Sequence, residues 1–478
     1  MPRIHLHFLP HGLVVGVFCL NVACTGISSN VRQEQADDVI IGRGKLALTA
    51  FRSTAISAVR QPVTSTKLGL LVLWHRPREI VSGNSPLTLT PQTVATEAPG
   101  TPAFEQLLNK KHFPPAESGS LKWLVDGPGF FPALDHQIAK ARRSIDFQVY
   151  IFDNDDIAVR YADSLKHHSA RVPVRVLFDD LGTNAAQSSP PKTLGPKGFI
   201  PPSDMRSYLR QDSEVHVRRT LNPWLVCDHT KLIVFDQQTA ILGGMNIGRE
   251  YFSEWHDLMV AVEGPVVRTL SREFNRAWRK AGPWGEFALF HQPAIFRRPP
   301  PAANGIPLRV LRTDPVEGRY EILDATLLAI QGARKRIWIE NPYFAYDEIV
   351  IAVAAAARRG VDVRVIIPAS GDSPLMDASN LATANSLIRA GAKVFRYPKM
   401  THMKVMLCDD WGIMGTANLD TLSMRINREL NLAFSEKHTV RSLEKQVFLP
   451  DLRRSRPVGL SETQNLANSF AETIADQL

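Results

Sequence analysis

Two stretches of this chain alternate apolar and polar positions in the manner of a half-buried strand, and both carry the same polar residues. One runs Cys227-Asp-His-Thr-Lys-Leu-Ile-Val-Phe-Asp and the other Thr401-His-Met-Lys-Val-Met-Leu-Cys-Asp. Strand side chains alternate faces. His229 and Lys231 therefore share a face with Ile233 and Phe235, and Asp236 turns away. Asp236 and its counterpart Asp409 accordingly read as turn or support residues. A two-residue turn at Gln237-Gln238 would close a hairpin, pairing Asp236 with Thr239 and setting His229 opposite Asn246. Asn418 follows His402 by 16 positions and Asn246 follows His229 by 17, so the second turn, through Asp409 to Gly412, must differ.

The repetition extends beyond the hairpins. His402 lies 173 positions after His229, Gly415 172 after Gly243 and Glu429 172 after Asp257. Upstream the offset grows: Ile337 follows Ile145 by 192 and Val361 follows Val172 by 189. The chain is an internal duplication whose first half holds extra residues, in the Pro-, Gly- and Ser-rich loop Gly182 to Asp204. A helical period over Pro132–Arg142 precedes a strand over Ser144–Phe152, and one over Ile349–Arg359 precedes a strand over Val361–Ile367. Each half reads strand, helix, strand, helix, motif hairpin, which predicts an α/β class with helices on a mixed sheet. The expected domains are 119–295 and 308–450, joined by a Pro-rich linker at 296–307 and followed by a tail at 451–478. In Pro265–Ala281, Val267, Leu270, Phe274 and Trp278 form an apolar stripe among Arg268, Arg272, Arg276, Arg279 and Lys280. That pattern favours a solvated amphipathic surface helix over a lipid-binding one.

A lone strand histidine is ordinarily a satisfied core residue. Two copies, each with a lysine, an amide and an acid, reverse that expectation. The candidate site is His229, Lys231, Asn246 and Asp257 with His402, Lys404, Asn418 and Glu429. These residue types suit a phosphodiester. Lysines supply charge and the amides supply donors to its oxygens. A neutral imidazole can attack phosphorus and form a phosphohistidine, while a protonated one gives its proton to the leaving alkoxide. Asp257 follows His229 by 28 positions and Glu429 follows His402 by 27. A carboxylate there would hold one imidazole nitrogen and fix its tautomer. No Cys/His cluster with zinc spacing, P-loop or dinucleotide fingerprint occurs, and no metal or other cofactor is expected.

At this point the chain resembles the phospholipase D superfamily, and within it the bacterial cardiolipin synthase-type proteins. The resemblance covers about residues 120 to 450. It rests on Val149-Tyr-Ile-Phe, the paired motifs, Gly243-Gly-Met-Asn-Ile, Gly415-Thr-Ala-Asn-Leu-Asp and Asn427-Arg-Glu-Leu-Asn. It implies two pseudo-symmetric phospholipase D-like α/β/α sandwich domains sharing one central active site. It also implies phosphatidyl transfer from an anionic phospholipid such as phosphatidylglycerol, with His229 as nucleophile and His402 as general acid/base. Hydrolysis of the same bond is the alternative. A nuclease is a weaker one, because small bacterial nucleases of this kind carry one motif per chain; no specific nucleic-acid partner is expected. Thr416 stands where serine is usual, Thr230 where a basic residue is frequent, and Leu422 where arginine often precedes the serine.

Charge and the N-terminus concern the setting. The 478 residues carry a net charge of +9 and a pI near 9.4, which favours anionic partners such as a phospholipid surface. Phe8 to Ala23 is an apolar run broken by Pro10 and His11, too short for a confident membrane span. It reads as a signal-peptide core, and Cys24 resembles the acylated cysteine of a bacterial lipoprotein. The expectation is an exported protein held at a membrane, on the periplasmic face. Residues 25–118 show no clear period and read as a poorly ordered spacer, with one possible strand at Leu68–Trp74. Cys227 and Cys408 occupy different strand positions and are expected as free thiols.

Overall fold

The computed structural model describes residues 48–71, 97–187, 195–290 and 305–463. The expected signal segment and Cys24 lie outside these residues. One 16-stranded sheet runs through the molecule. Its first half contains β1 (Glu117–Val125), β2 (Ile145–Val149), β3 (Val174–Asp179), β4 (His216–Thr220), β5 (Leu232–Phe235), β6 (Thr239–Gly243) and β7 (Leu258–Glu263). Its second half contains β8 (Ile306–Asp314), with the short β9 (Arg319–Tyr320) on its edge, then β10 (Arg336–Glu340), β11 (Asp362–Pro368), β12 (Lys393–Tyr397), β13 (Val405–Cys408), β14 (Trp411–Gly415), β15 (Glu429–Phe434) and β16 (Arg456–Pro457).

The strand order is a palindrome of the duplication. Outward from the centre, one side reads β1-β7-β6-β5-β2-β3-β4 and the other β8-β15-β14-β13-β10-β11-β12-β16. At the centre β1 pairs antiparallel with β8, Ser118 opposite Pro307 and Gly119 opposite Ile306. Ile306 and Pro307, expected in the linker, are therefore strand, because pairing with β1 satisfies their backbone groups. At the far edge Arg456 pairs with Arg396, so the sheet continues into the expected tail. The duplication holds to the residue: Ile145 faces Phe235 as Ile337 faces Cys408. Both Cys227 and Cys408 are buried free thiols.

Apolar alternation sends the two sheet faces into different cores. Ile145, Phe147, Ile233 and Ile241 pack with helices Asp126–Lys140 and Asp156–Ser169. Ile337, Ile339, Met406 and Ile413 do the same with helices Glu321–Gly332 and Asp347–Arg358. The opposite face forms one core shared by both halves, in which Val234 and Leu242 join Leu407, Leu432 and Phe434. Helix Val266–Lys280 covers that shared core with Val267, Leu270, Phe274 and Trp278. Its basic side reaches across the centre, with Arg276 bonded to Glu317 at 2.6 Å and Lys280 at 3.7 Å from Asp314. The amphipathic pattern thus serves the junction of the two halves.

Further expectations are corrected. Residues 48–60 and 62–71 form helices, and Pro102–Lys110 is a third, capped by the Thr101 hydroxyl. Much of the expected spacer is thus folded onto the body, and Leu68 to Leu71, expected as strand, are helical. In the first hairpin Phe235 pairs with Thr239, one residue out from the expected register. The loop has three residues, because Asp236 and Gln237 both adopt left-handed φ (55° and 57°). The second hairpin pairs Cys408 with Trp411 around two residues, which accounts for the one-residue difference in asparagine spacing. Finally, strand pairing in β5 begins at Leu232, so His229 has no ladder partner on β6 and is not set opposite Asn246.

Candidate active site

Each motif histidine sits just before its hairpin, where the chain leaves its own half and pairs with the other. Asp228 bridges to Arg428, and the His229 N–H donates to the Arg428 carbonyl at 2.9 Å. Thr401 bridges to His256, and the His402 N–H donates to the His256 carbonyl at 2.6 Å. The residue after each of these carbonyls is an acid. The crossing therefore carries Glu429 to His229 and Asp257 to His402.

Nδ1 of His229 lies 3.0 and 3.1 Å from the two Glu429 carboxylate oxygens. Nδ1 of His402 lies 2.7 Å from Oδ2 of Asp257. A carboxylate accepts, so each Nδ1 carries the hydrogen and each Nε2 is left for chemistry. The spacing of 28 and 27 points to these acids but does not say which histidine each serves; the pairing is between halves.

The acids are held differently. Glu429 accepts hydrogen bonds from the Thr416 and Ser423 hydroxyls, one on each oxygen. Asp257 has Gly244 where Glu429 has Thr416, and Oδ1 accepts from the Leu258 N–H at 2.7 Å. A Cβ on Gly244 would lie 2.2 Å from that oxygen.

Lys231 and Lys404 are buried between these groups. Each ammonium donates to the carbonyl of its own motif histidine, at 2.8 and 2.7 Å. One of three donors is used there. Asn246 takes the Ile151 N–H on its oxygen at 3.0 Å and donates to the Tyr251 hydroxyl at 2.8 Å. Asn418 donates toward Asp420. Tyr150 meets the His229 ring edge-on at 4.7 Å, and Trp255 and Tyr251 meet His402 at 5.1 and 5.7 Å. These aromatic walls were not anticipated. Tyr150 lies within the quoted Val149-Tyr-Ile-Phe run, but a strand aromatic reads as core until its neighbour is known.

The electrostatics follow from burial. Burial and then the Lys231 and Lys404 charges hold the His229 imidazole well below its usual pKa. Burial, with Lys404, brings His402 down to about 4 despite Asp257. Burial also lowers Lys231 to about 7 and Lys404 to about 8. Each histidine feels the opposite lysine, and His229 feels His402, so the two motifs form one electrostatic unit. An anion placed between the lysines would offset their charge and favour an imidazolium.

Asp236 and Asp409 lie away from the imidazoles. Asp236 accepts three backbone N–H groups, from Arg142, Arg143 and Ser144, at 2.7–3.1 Å. Asp409 does the same for Arg334, Lys335 and Arg336 at 2.8–3.1 Å. Each closes the corner that starts a central strand.

A further buried charge lies behind His402. His256 donates from Nδ1 to Asp126 at 2.7 Å, while Nε2 lies 3.0 Å from Asp451 and 3.9 Å from Glu340. Burial opposes its charge, but the bonds to Asp126 and Asp451 and the Glu340 carboxylate raise it to about 10. Arg428 is its counterpart in the duplication, held by Asp228 at 3.2 Å and Asp314 at 3.3 Å. Each cation thus anchors one of the two crossings.

Comparison with known proteins agrees with this architecture. Residues 134–278 and 327–448 match the family described as "Cardiolipin synthase, PLD-like domain". Cardiolipin synthase A of Pseudomonas putida is 30% identical over 387 residues, covering 78% of this chain and 76% of that one. Cardiolipin synthase A of Pseudomonas entomophila is 30% identical over 382 residues, with the same coverage. In fold, the chain is similar to the phosphatidylserine synthase of Haemophilus influenzae Rd KW20, with a TM-score of 0.59 and 15% identity. That match covers 79% of this chain and 100% of the other. With two motif-bearing halves, a shared sheet and these relatives, the chain belongs to the cardiolipin synthase family of phospholipase D-like proteins.

Proposed function

We propose that this protein is a phosphatidyltransferase of cardiolipin synthase type, moving a phosphatidyl group from an anionic phospholipid such as phosphatidylglycerol to the hydroxyl of a second lipid. The observation that carries the reading is the crossed pair: two imidazoles, each with Nδ1 held by the other half's carboxylate, around two buried lysines. Such a set suits a two-step displacement at one phosphorus.

Lys231 and Lys404 hold the phosphodiester oxygens, with the Asn246 and Asn418 amides beside them. Nε2 of His229 attacks phosphorus as the bond to the glycerol oxygen breaks, and His402 gives that oxygen its proton. The acceptor hydroxyl then loses its proton to His402, attacks phosphorus and releases His229. Glu429 keeps the nucleophilic nitrogen unprotonated, and Asp257 stabilises the imidazolium on His402. Asp236 and Asp409 serve the fold.

The full-length protein, incubated with labelled phosphatidylglycerol, is expected to yield cardiolipin and glycerol. Phosphatidic acid as the sole product would instead make it a hydrolase. With a nitrophenolate leaving group and rapid acid quench, His402→Ala is expected to trap label on His229, because a good leaving group needs little proton donation. His229→Ala is expected to trap none. Label on His402 in the latter variant would reverse the two roles.

A further inference from the structure

Helices 48–60 and 62–71 are oriented against the usual rule for a surface helix. The face turned into the protein is mostly polar: Ser53 and Ser57 are fully buried, and Thr49, Gln61, Thr64 and Ser65 nearly so, beside the apolar Ala50 and Leu68. The face turned outward is apolar. Leu48, Phe51, Ala55 and Val59 follow at steps of three or four, so they lie along one side of the first helix. Phe51 is 75% exposed, Val59 79% and Leu70 63%, and Val63 continues the surface. Water does not favour this orientation, since large contiguous apolar patches on soluble proteins mark interaction sites.

The polar side is engaged, so the orientation is not loosely held. The Ser53 hydroxyl accepts the Asn222 N–H at 2.6 Å, and the Gln61 amide donates to the Lys280 carbonyl at 2.9 Å. Trp224 donates its indole N–H to the Ser65 carbonyl at 2.7 Å. Glu286 accepts the backbone N–H groups of Val63 and Thr64. The Asn222 and Trp224 contacts reach the segment 220–228, which leads directly into His229, and the others hold the helices to Lys280 and Glu286. Leu68 packs with Val226 and Ile426, closing the junction from the same side.

Two further features select the occupant. Trp224, Trp284 and Phe287 are exposed at the edge of the helix pair, and Trp is a residue that settles at the membrane–water interface. Residues 48–71 contain no Asp or Glu; Arg52 is paired with Asp180 at 2.9 Å, and Arg60 and Lys67 leave the helix pair positively charged. Two copies docked through this face would bring like charges together, whereas an anionic bilayer supplies the counter-charge.

We propose that helices 48–60 and 62–71, with Trp224, Trp284 and Phe287, form an interfacial platform that seats on an anionic phospholipid bilayer. The apolar stripe enters the headgroup boundary, the helices lie in its plane, and the motif-one edge of the active site is brought to the phosphodiester layer. The inference rests on the reading above that the substrate is a phospholipid.

The test uses the full chain with vesicles of phosphatidylglycerol and phosphatidylcholine, and a benzophenone side chain introduced at position 51 or, as a control, at 393. Lys393 is an exposed position in the second half. Lipid adducts at 51 are expected at least tenfold above those at 393. Adducts at 51 to a second chain or to the chain itself, with lipid adducts no higher than at 393, would overturn the proposal. In a second arm, Phe51→Ser, Val59→Ser and Leu70→Ser are combined. Turnover of vesicle lipid is expected to fall at least tenfold, while turnover of a short-chain monomeric phosphodiester is unchanged. No change on either substrate, or an equal fall on both, would refute docking through this face. The adduct needs no turnover: lipid adducts at 51 without activity on either substrate would sink the transferase reading and leave the platform standing.

Discussion

The two halves of this molecule share a strand order, a hairpin and a His-Lys pair, yet they hold their acids in different ways. The second half offers a long acid, Glu429, clamped by Thr416 and Ser423. The first offers a short one, Asp257, seated against Gly244, with Tyr251 in the position corresponding to Ser423. Because the acids cross, His229 receives the clamped glutamate beside Tyr150, and His402 receives the aspartate beside Trp255 and Tyr251. A duplicated fold thus supplies two equivalent imidazoles, and the layer behind them makes them different. The clamp suits a nitrogen that must stay aimed and unprotonated. The single strong bond from Asp257 suits an imidazole that gains and loses a proton.

The largest expected effects come from breaking the crossed bonds. Glu429→Gln and Asp257→Asn are each expected to lower kcat by about 10³- to 10⁴-fold with a poor leaving group, through loss of the correct tautomer and of imidazolium stabilisation. A nitrophenolate leaving group is expected to restore most of the first step, read as the burst of nitrophenolate release, to Asp257→Asn and little to Glu429→Gln. The opposite pattern in burst kinetics would assign the nucleophile to His402.

Next comes the space beside the short acid. Gly244→Ala places a methyl 2.2 Å from Asp257 Oδ1, so the carboxylate must move. Turnover is expected to drop about a hundredfold, the cost of misplacing a catalytic contact by about 1 Å. Thr416→Ser keeps the hydroxyl that Glu429 needs and is expected to retain nearly full activity. Equal losses in both variants would show that the two acids are held alike.

A smaller effect is expected with pH. Lys231, at about 7, and Lys404, at about 8, lose their charge as pH rises, and His402, at about 4, loses its proton in the same direction. The value of kcat/KM should therefore fall steadily from about pH 6 to about pH 9. Lys231→Arg cannot lose its charge in that range and should move the alkaline limb upward, at some cost in maximal rate. A limb that stays in place would exclude Lys231 as its source.

The smallest expected change is in stability, at the two cations that anchor the crossings. The folded-state pKa of His256, about 10, lies above its ordinary 6.5. Its stabilisation is present in full below 6.5 and is lost as pH rises through 10. The Tm should fall between about pH 7 and about pH 10 by a few degrees. Glu340, raised by burial and by Asp451 to about 8, contributes with the same sign. His256→Arg imitates Arg428, stays charged and should reduce the fall. An undiminished fall would place the titration elsewhere.

Much of the site was readable because its residues recur at fixed spacing. The repetition identified His229, Lys231, His402 and Lys404, and the acids were reachable by counting forward. The inward apolar residues of β2, β5, β10 and β13 follow the same period, so the fold class was readable too. The turns were less so. Asp236 and Gln237 adopt left-handed backbone that no residue type there demands, and one extra loop residue shifts the hairpin register. Helices 48–60 and 62–71 were missed because residues 25–118 show no clear apolar period, and most of what these helices bury is polar.

The sequence by itself determined the duplication, the α/β alternation and the identity of the groups gathered in the candidate site, because local period and spacing are properties of the chain. Only the tertiary structure decided that β1 joins β8 in one sheet and that Asp257 serves His402 while Glu429 serves His229. It also set the differing surroundings of the two imidazoles. The physical reason is that strand pairing across a pseudo-twofold joins residues 145 and 200 positions apart, and hydrogen bonds over such separations leave no periodic trace in the chain.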